Sequence, residues 1–291
     1  VDDESEDDTK KIALKYGVKV IHPKPRPKGI KGKPWALLNG VKEAKESVVL
    51  LLDADTTILP RGIERLIDIY LENETPLSIQ PYHHMKKRYE RLSVIFNLVV
   101  VMASNTYQIF NKKKQITAFF GPAQMMKKDE FLKYASQKDV NTKVLEDIQL
   151  GKAILKDDIQ IRSIIGYGLI KFRMYPEGIH AVLKGFGKNF ATGAIAIKPF
   201  ITILISLWLS GIYASINYLI QGIINATFLL PIVLFLSQGL FLYLTSKKIG
   251  NFNASLIILF PIHALFFLMT FVYSFFAIYV FKTNQWKGRQ V

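Results

Sequence analysis

The stretch VVLLLDADTTILP, residues 48–60, passes from a run of apolar side chains into two acids. Val48 to Leu52 is rich in β-branched and leucine residues and has the length of a strand buried on both faces. Asp53 and Asp55 follow with only Ala54 between them. Two carboxylates at the end of a buried strand repel each other and lose hydration, so something must neutralise them. Hard oxygen donors at i and i+2 can share Mg2+ or Mn2+, ions that keep waters and take substrate phosphates as further ligands. A turn or helix-capping role for either aspartate is the plainer alternative.

The flanking sequence supplies a frame for that strand. GVKVI (17–21), PLSIQP (76–81) and ITAFFG (116–121) also read as strands, with helical patterns in WALLNGVKEAKE (35–46) and RGIERLIDIYLEN (61–73). Such alternation predicts an α/β domain with a mostly parallel sheet covered by helices. Ligands in these folds bind at the carboxyl ends of strands, where Asp53 and Asp55 stand. The acidic opening VDDESEDDT, with no strand before it, predicts a chain that lacks its first strand through N-terminal truncation.

Composition narrows the class of protein. The 291 residues include no cysteine, which excludes a disulfide scaffold and a thiolate metal site. Net charge is +15, although the first eight residues hold six of the 23 acidic groups. This balance favours anionic partners, whether nucleic acid, anionic lipid or a phosphorylated small molecule. HPKPRPKGIKGKP (22–34) concentrates five of the cations in one Pro/Gly-rich loop, able to approach phosphates or simply to be solvated.

Hydropathy then selects the membrane. From Pro199 to Ser246 no charged residue occurs over 48 positions, enough for two crossings of about 20 residues each. They are predicted at roughly 200–220 and 223–245, with the turn in NYLIQG around Asn217 and Gly222. A third apolar stretch, Ala254 to Phe281, contains Pro261 and His263. Lys184, Lys188 and Lys198 before the first span, and Lys247 and Lys248 after the second, predict that both places are cytoplasmic. A simple third crossing would put the basic tail outside, against the same rule. Val94 to Ala103 is too short for a span and suits a core, re-entrant or interfacial helix.

With these segments in place, the order of VDDESEDDT (1–9), GKPWALLNGV (32–41), LLDADTTI (51–58), FFGPAQMMKKDEF (119–131) and VLEDIQLGKAI (144–154) resembles glycosyltransferase family 2. The resemblance covers nearly the whole chain. SIQPYHHMKKRYERLSVIFNL, KFRMYPEG, KNFATGAIAIKP and WKGRQ are similar to the membrane-bound diaponeurosporenoate glycosyltransferases, which act on a carotenoid acid. The family implies a GT-A fold, a UDP-sugar donor and inversion at the anomeric carbon.

The resemblance also implies roles by position. Asp3 would accept hydrogen bonds from the uracil or ribose, and Lys33 would lie near the base or diphosphate. Asp53 would contact the nucleotide and Asp55 the Mg2+ or Mn2+, with Asp53 as a second ligand. Gly121 would let the backbone approach donor sugar or acceptor. Asp147 would be the base that takes the acceptor proton, with Glu146 orienting or capping; the start of a helix also favours both carboxylates on its own. A carboxylic-acid acceptor is already ionised near neutral pH, so Asp147 would then serve more for positioning.

One departure is informative. Processive members carry Q-x-x-R-W where this chain reads FGKNF, Phe186 to Phe190. Loss of that motif favours transfer of one sugar over polymer synthesis. In the same segment Ile179, Val182, Leu183, Phe186 and Phe190 share one helical face and Lys184 and Lys188 the other. That pattern predicts a helix at the membrane surface with its aromatics in the acyl boundary, beside the acceptor; packing on the domain is the alternative. His83 and His84 are expected on the surface, because neighbours on a strand point apart. His263 is expected to be functional or to pack against a carbonyl, and Trp286, Lys287 and Arg289 to clamp a diphosphate or headgroup or to anchor at the interface.

The expected layout is a GT-A glycosyltransferase domain at 1–175, an amphipathic interfacial helix at 176–198, about three transmembrane helices at 199–282 and a basic tail at 283–291. The expected protein is a multi-pass cell-membrane enzyme with a cytoplasmic catalytic domain. It would move one sugar, glucose from UDP-glucose, to a lipophilic acceptor such as a carotenoid acid. The alternatives are a polysaccharide or sphingolipid/hopanoid glycosyltransferase, and a non-catalytic lipid-handling protein with a relict sugar-nucleotide domain.

Overall fold

The computed structural model describes residues 1–104, 119, 121–142, 146–195, 199–277, 285–286 and 289–290. In chain order its elements begin α1 (Thr9–Lys15), α2 (Gly32–Glu43), β1 (Val48–Leu52), β2 (Thr56–Ile58), α3 (Gly62–Leu71), β3 (Leu77–Gln80) and β4 (Tyr82–His83). A 3-10 turn, Arg88–Ser93, leads into α4 (Val94–Ala103). Then come β5 (Ala123–Lys127), α5 (Lys128–Ala135), α6 (Lys138–Asn141), α7 (Glu146–Lys156), β6 (Arg162–Ile165) and β7 (Ile170–Phe172). Long helices follow: α8 (Ile179–Ile195), α9 (Pro199–Ile224), α10 (Leu229–Ser246) and α11 (Leu256–Phe275). The chain divides into two compact units, Val1–Asp53 with Ile67–Ile79 and Lys113–Ile164, and Ala54–Leu66 with Gln80–Lys112 and Ile165–Val291.

The first unit is built on a sheet of order β1-β5-β3-β6. Strand β5 runs antiparallel to β1, with Val48 opposite Lys127 and Leu52 opposite Ala123, and antiparallel to β3 as well. The expected mostly parallel sheet is therefore corrected to a mixed one. Central strands buried on both faces carry the same apolar side chains in either direction, so the residue pattern does not reveal the reversal. Leu38, Val49, Met126, Phe131, Tyr134 and Ile154 join sheet and helices in one apolar core. Residues 17–21 do not form the expected strand; the N–H of Asp2 donates to the Ile21 carbonyl at 2.8 Å instead. Of the expected strand at 116–121, only residues 119 and 121 lie among those described, and neither is in a strand.

The second unit holds a sheet of order β2-β7-β4, antiparallel between β2 and β7 and parallel between β4 and β7. Beside it, α4 is a core helix: Val94, Ile95, Phe96 and Val101 are fully buried in the cluster that also takes in α8 to α11. His83 overturns its expected surface position, at 1% exposed. On this short strand it is the inward member of the pair, and its ring packs on Phe172 with centroids 5.1 Å apart. Asn97 Nδ2 lies 2.8 Å from His83 Nδ1.

Helices α9, α10 and α11, of 26, 18 and 20 residues, are long and apolar enough to cross a membrane. The first span does not turn at Asn217 or Gly222. It continues to Ile224 and ends where Ala226 adopts φ 55°. There the N–H groups of Thr227 and Ala226 donate to the carbonyls of Gly222 and Ile223 at 2.8 and 3.4 Å, which is the Schellman stop. Gly222 lies within the helix, and Pro231 packs on it so closely that no side chain would fit there.

The third span is one helix through Pro261. Proline has no N–H for the carbonyl four residues back, that of Ile257. Gly239 of α10 lies directly against this carbonyl, so that a Cβ there would overlap it. The connection between α10 and α11 is tied to β4. Asn251 Oδ1 accepts from the Met85 N–H at 2.7 Å and its Nδ2 donates to the Met85 carbonyl at 2.8 Å. The His83 N–H donates to the Ile249 carbonyl at 2.8 Å. His263 donates from Nδ1 to the Leu259 carbonyl at 2.9 Å, the packing alternative foreseen for it.

Burial pushes the His83 imidazole down to about 4 from 6.5, with the Glu90 charge opposing and His84 adding. Between these values the unfolded chain binds a proton that the folded chain refuses, so stability falls as pH drops through that window. In detergent-solubilised protein, denaturant titrations from pH 7 to pH 4 should show wild type losing up to about 3 kcal/mol more than His83→Gln. Parallel pH profiles would refute the buried neutral histidine.

Candidate active site

The strand end that holds Asp53 is fixed by β5. The Asp53 N–H donates to the Pro122 carbonyl at 2.9 Å, one residue before β5 begins. Its carboxylate is met by Lys33, whose Nζ lies 2.8 Å from Oδ1. Lys33 belongs to the first turn of α2, in the GKPWAL segment. The basic loop thus supplies the neutralising charge that the strand end required.

Asp53 and Lys33 line a cleft together with Gly121, Gln124 and Asp147. Leu37, Leu51, Phe131 and Leu150 form its apolar floor. Asp147 enters from the start of α7, where its Oδ1 accepts from the Ile148 N–H at 2.9 Å. A Cβ on Gly121 would fall 2.5 Å from Asp147 Oδ2. Glycine at 121 is therefore the condition for the carboxylate to sit there.

Asp3 does not line this cleft. It stands at the start of α2, where a Cβ on Gly32 would fall 2.8 Å from its Oδ2 and 3.2 Å from a guanidinium nitrogen of Arg26. Its neighbour Asp2 is the buried member of the pair, at 7% exposed. Asp2 accepts from the Ser5 N–H at 3.1 Å, and the hydrogen bonds from Ser5 hold its carboxyl below the usual range. Arg26 and Gln124 escaped the sequence reading: one was submerged among five loop cations and the other lay within an apolar strand.

Asp55 belongs to the second unit. Its carbonyl accepts from the Arg173 N–H at 3.4 Å. The Arg173 guanidinium in turn grips Glu90, with Nη2 2.5 Å and Nε 3.1 Å from Oε1. Glu90 is 1% exposed. Burial alone would raise its carboxyl, but hydrogen bonds from Arg173 and from the Lys86 and Lys87 amides outweigh it and hold the group below its usual value. Tyr175 completes this edge. Burial first, then the charges of Asp55 and Glu177, push its hydroxyl up to about 12. Glu90, Arg173 and Tyr175 were missed as individual residues, although KKRYERL and KFRMYPEG, which contain them, carried the resemblance.

On α8, Val182 and Phe186 are buried at 1% and 7% exposed, with Phe186 stacked on Phe96 at 4.4 Å. Protein packing, not lipid, therefore occupies the aromatic at Phe186. The side chains of Glu146, Lys188 and Phe190, and all of Lys287, lie outside the described residues. Among the described residues no three His, Cys, Asp or Glu side chains cluster in a way that could hold a metal ion by themselves.

Residues 1–134 match the family model for glycosyl transferase family 2. The 4,4'-diaponeurosporenoate glycosyltransferase of Staphylococcus aureus (strain USA300) is 32% identical over 297 residues, spanning 100% of this chain and 79% of that protein. The chain belongs to glycosyltransferase family 2. A 4,4'-diaponeurosporenoate glycosyltransferase of Staphylococcus haemolyticus (strain JCSC1435) is 30% identical over the same shares. The chain is thus a glycosyltransferase with three helices able to cross a membrane.

The close approach at Gly121 yields a direct test. Gly121→Ala should displace the Asp147 carboxylate and lower glycosyl transfer on the order of 10²-fold, while far-UV circular dichroism stays unchanged. Wild-type turnover by this variant would show that the Asp147 position is immaterial.

Proposed function

We propose that this glycosyltransferase moves a single glucose from UDP-glucose to a lipophilic carboxylic acid of the carotenoid type, with inversion at the anomeric carbon. The observation that carries the reading is the shared cleft of Lys33, Asp53, Gly121 and Asp147, in a chain that also contains three membrane-capable helices. The named relatives act on diaponeurosporenoate, which supports an apolar acceptor with one carboxylate end. The lysines flanking the spans support a cytoplasmic catalytic domain.

In this reading an acceptor oxygen attacks C1 of the sugar, a new C–O bond forms there, and the bond from C1 to the diphosphate oxygen breaks. UDP leaves with the electron pair. Lys33 exchanges its ion pair with Asp53 for contact with the diphosphate, and Asp3 with Arg26 meets the nucleotide at the start of α2. The carboxylate oxygens of Asp53 and Asp55 are hard donors of the kind Mg2+ or Mn2+ takes, and these residues would hold such an ion. When bound, such an ion supplies electrostatic stabilisation of the departing diphosphate. Asp147 takes the proton of a hydroxyl acceptor and orients a carboxylate acceptor, which has no proton to lose.

Two variants separate these roles. Asp55→Ala should abolish transfer together with metal-dependent UDP binding, read by calorimetry with and without chelator. Full activity of that variant in chelator would remove the metal role. Asp147→Asn should still bind donor but transfer to a hydroxyl acceptor about 10²–10⁴-fold more slowly, with a smaller loss for a carboxylate acceptor. Equal losses for both acceptor types would exclude Asp147 as the base.

A further inference from the structure

Two exposed lysines close the second apolar span. Lys247 and Lys248 follow Ser246, the last residue of α10. With Ile165 and Tyr167 they line a cleft of their own, and all four residues belong to the second unit. None of them has a part in the transfer chemistry. The cleft brings two positive charges together, with no acid among its described lining residues.

Both walls are set by the backbone around β4. Tyr82 meets the Tyr167 ring edge to face at 5.1 Å, while most of Tyr167, 66% exposed, stays open to the outside. The turn that carries it is tied down by the Gly166 N–H, which donates to the Gln80 carbonyl at 2.7 Å. Directly after the lysine pair, the Ile249 carbonyl accepts from the His83 N–H at 2.8 Å. Lys247 Nζ lies 5.7 Å from the centre of the Tyr243 ring. The cations and the tyrosine are therefore presented by a fixed frame.

Apolar surface leads directly to these charges. Leu240 precedes Lys247 by seven residues, and Phe241 precedes Lys248 by the same interval, which returns to one helical face after about two turns. Leu240, Phe241 and Leu244 are 45, 51 and 48% exposed, as suits a surface that meets lipid tails. A soluble anion would use the lysines and ignore this stripe, whereas a phospholipid would use both. We propose that the cleft binds the headgroup of an anionic phospholipid. Its phosphate lies between Lys247 and Lys248, the Tyr167 hydroxyl donates to a headgroup oxygen, and one acyl chain runs along Leu244 and Phe241. Cations just outside a span attract anionic lipid, and a tyrosine with an apolar ring and a polar tip suits the headgroup layer.

The test uses the full chain purified in detergent, with bound lipid read by native mass spectrometry. Added dioleoyl phosphatidylglycerol should be retained in preference to dioleoyl phosphatidylcholine. Lys247→Gln combined with Lys248→Gln should weaken that retention on the order of tenfold, and Tyr167→Ala should weaken it as well. Lys10→Gln combined with Lys15→Gln, exposed positions on α1, should leave it unchanged. Unchanged retention in the Lys247 and Lys248 variant would overturn the proposal. An equal loss in the α1 variant would overturn it too, because overall charge and not the cleft would then gather the lipid. Displacement of the lipid by millimolar inorganic phosphate would assign the cleft to a soluble anion instead.

Discussion

The reversed strand β5 is the constraint on which the first unit depends. Its pairing with β1 puts Ala123 opposite Leu52, so the chain entering β5 must pass the end of β1 where Asp53 stands. Pro122 then offers its carbonyl to the Asp53 N–H, and Gly121 offers a bare Cα to the Asp147 carboxylate. One ladder register thereby brings together residues from three separate stretches. A shift of one residue would turn every side chain of β5 to the opposite face and would set a larger residue against Asp147.

Charge is handled locally. In the Asp-Ala-Asp segment the Asp53 carboxylate is answered by Lys33, and the backbone at Asp55 is held by the Arg173 N–H, whose guanidinium is locked by Glu90. The Glu90–Arg173 pair lies largely out of water, where removing one partner leaves an uncompensated buried charge. It fixes a backbone more than it supplies stability.

What could be read from residues, and what could not, follows from what side chains encode. Val48 to Leu52, the helix beginning at Glu146 and the three apolar spans were legible because burial selects apolar residues at a length and period that a sequence displays directly. Strand direction was not, since it resides in main-chain hydrogen bonds. The end of α9 was hidden because alanine, not glycine, takes the left-handed position at 226. His83 was misjudged because alternation says that neighbours differ but not which of them faces inward. Of the acids expected to converge, Asp53 and Asp147 line one cleft with Lys33 and Gly121, while Asp3 and Asp55 are not among its lining residues. The packing of Tyr175 on Gly185 joins residues that no local pattern links.

The touching backbones of α10 and α11 carry a mechanical consequence. Lipid tails offer helices no hydrophobic incentive to associate; here the glycine at 239 and the proline-freed carbonyl at 257 let two main chains mesh. Asn251 holds the connection between the two helices to the Met85 backbone beside β4, so hydrogen bonds to the main chain, not side-chain packing alone, join the helix pair to the short sheet of the second unit.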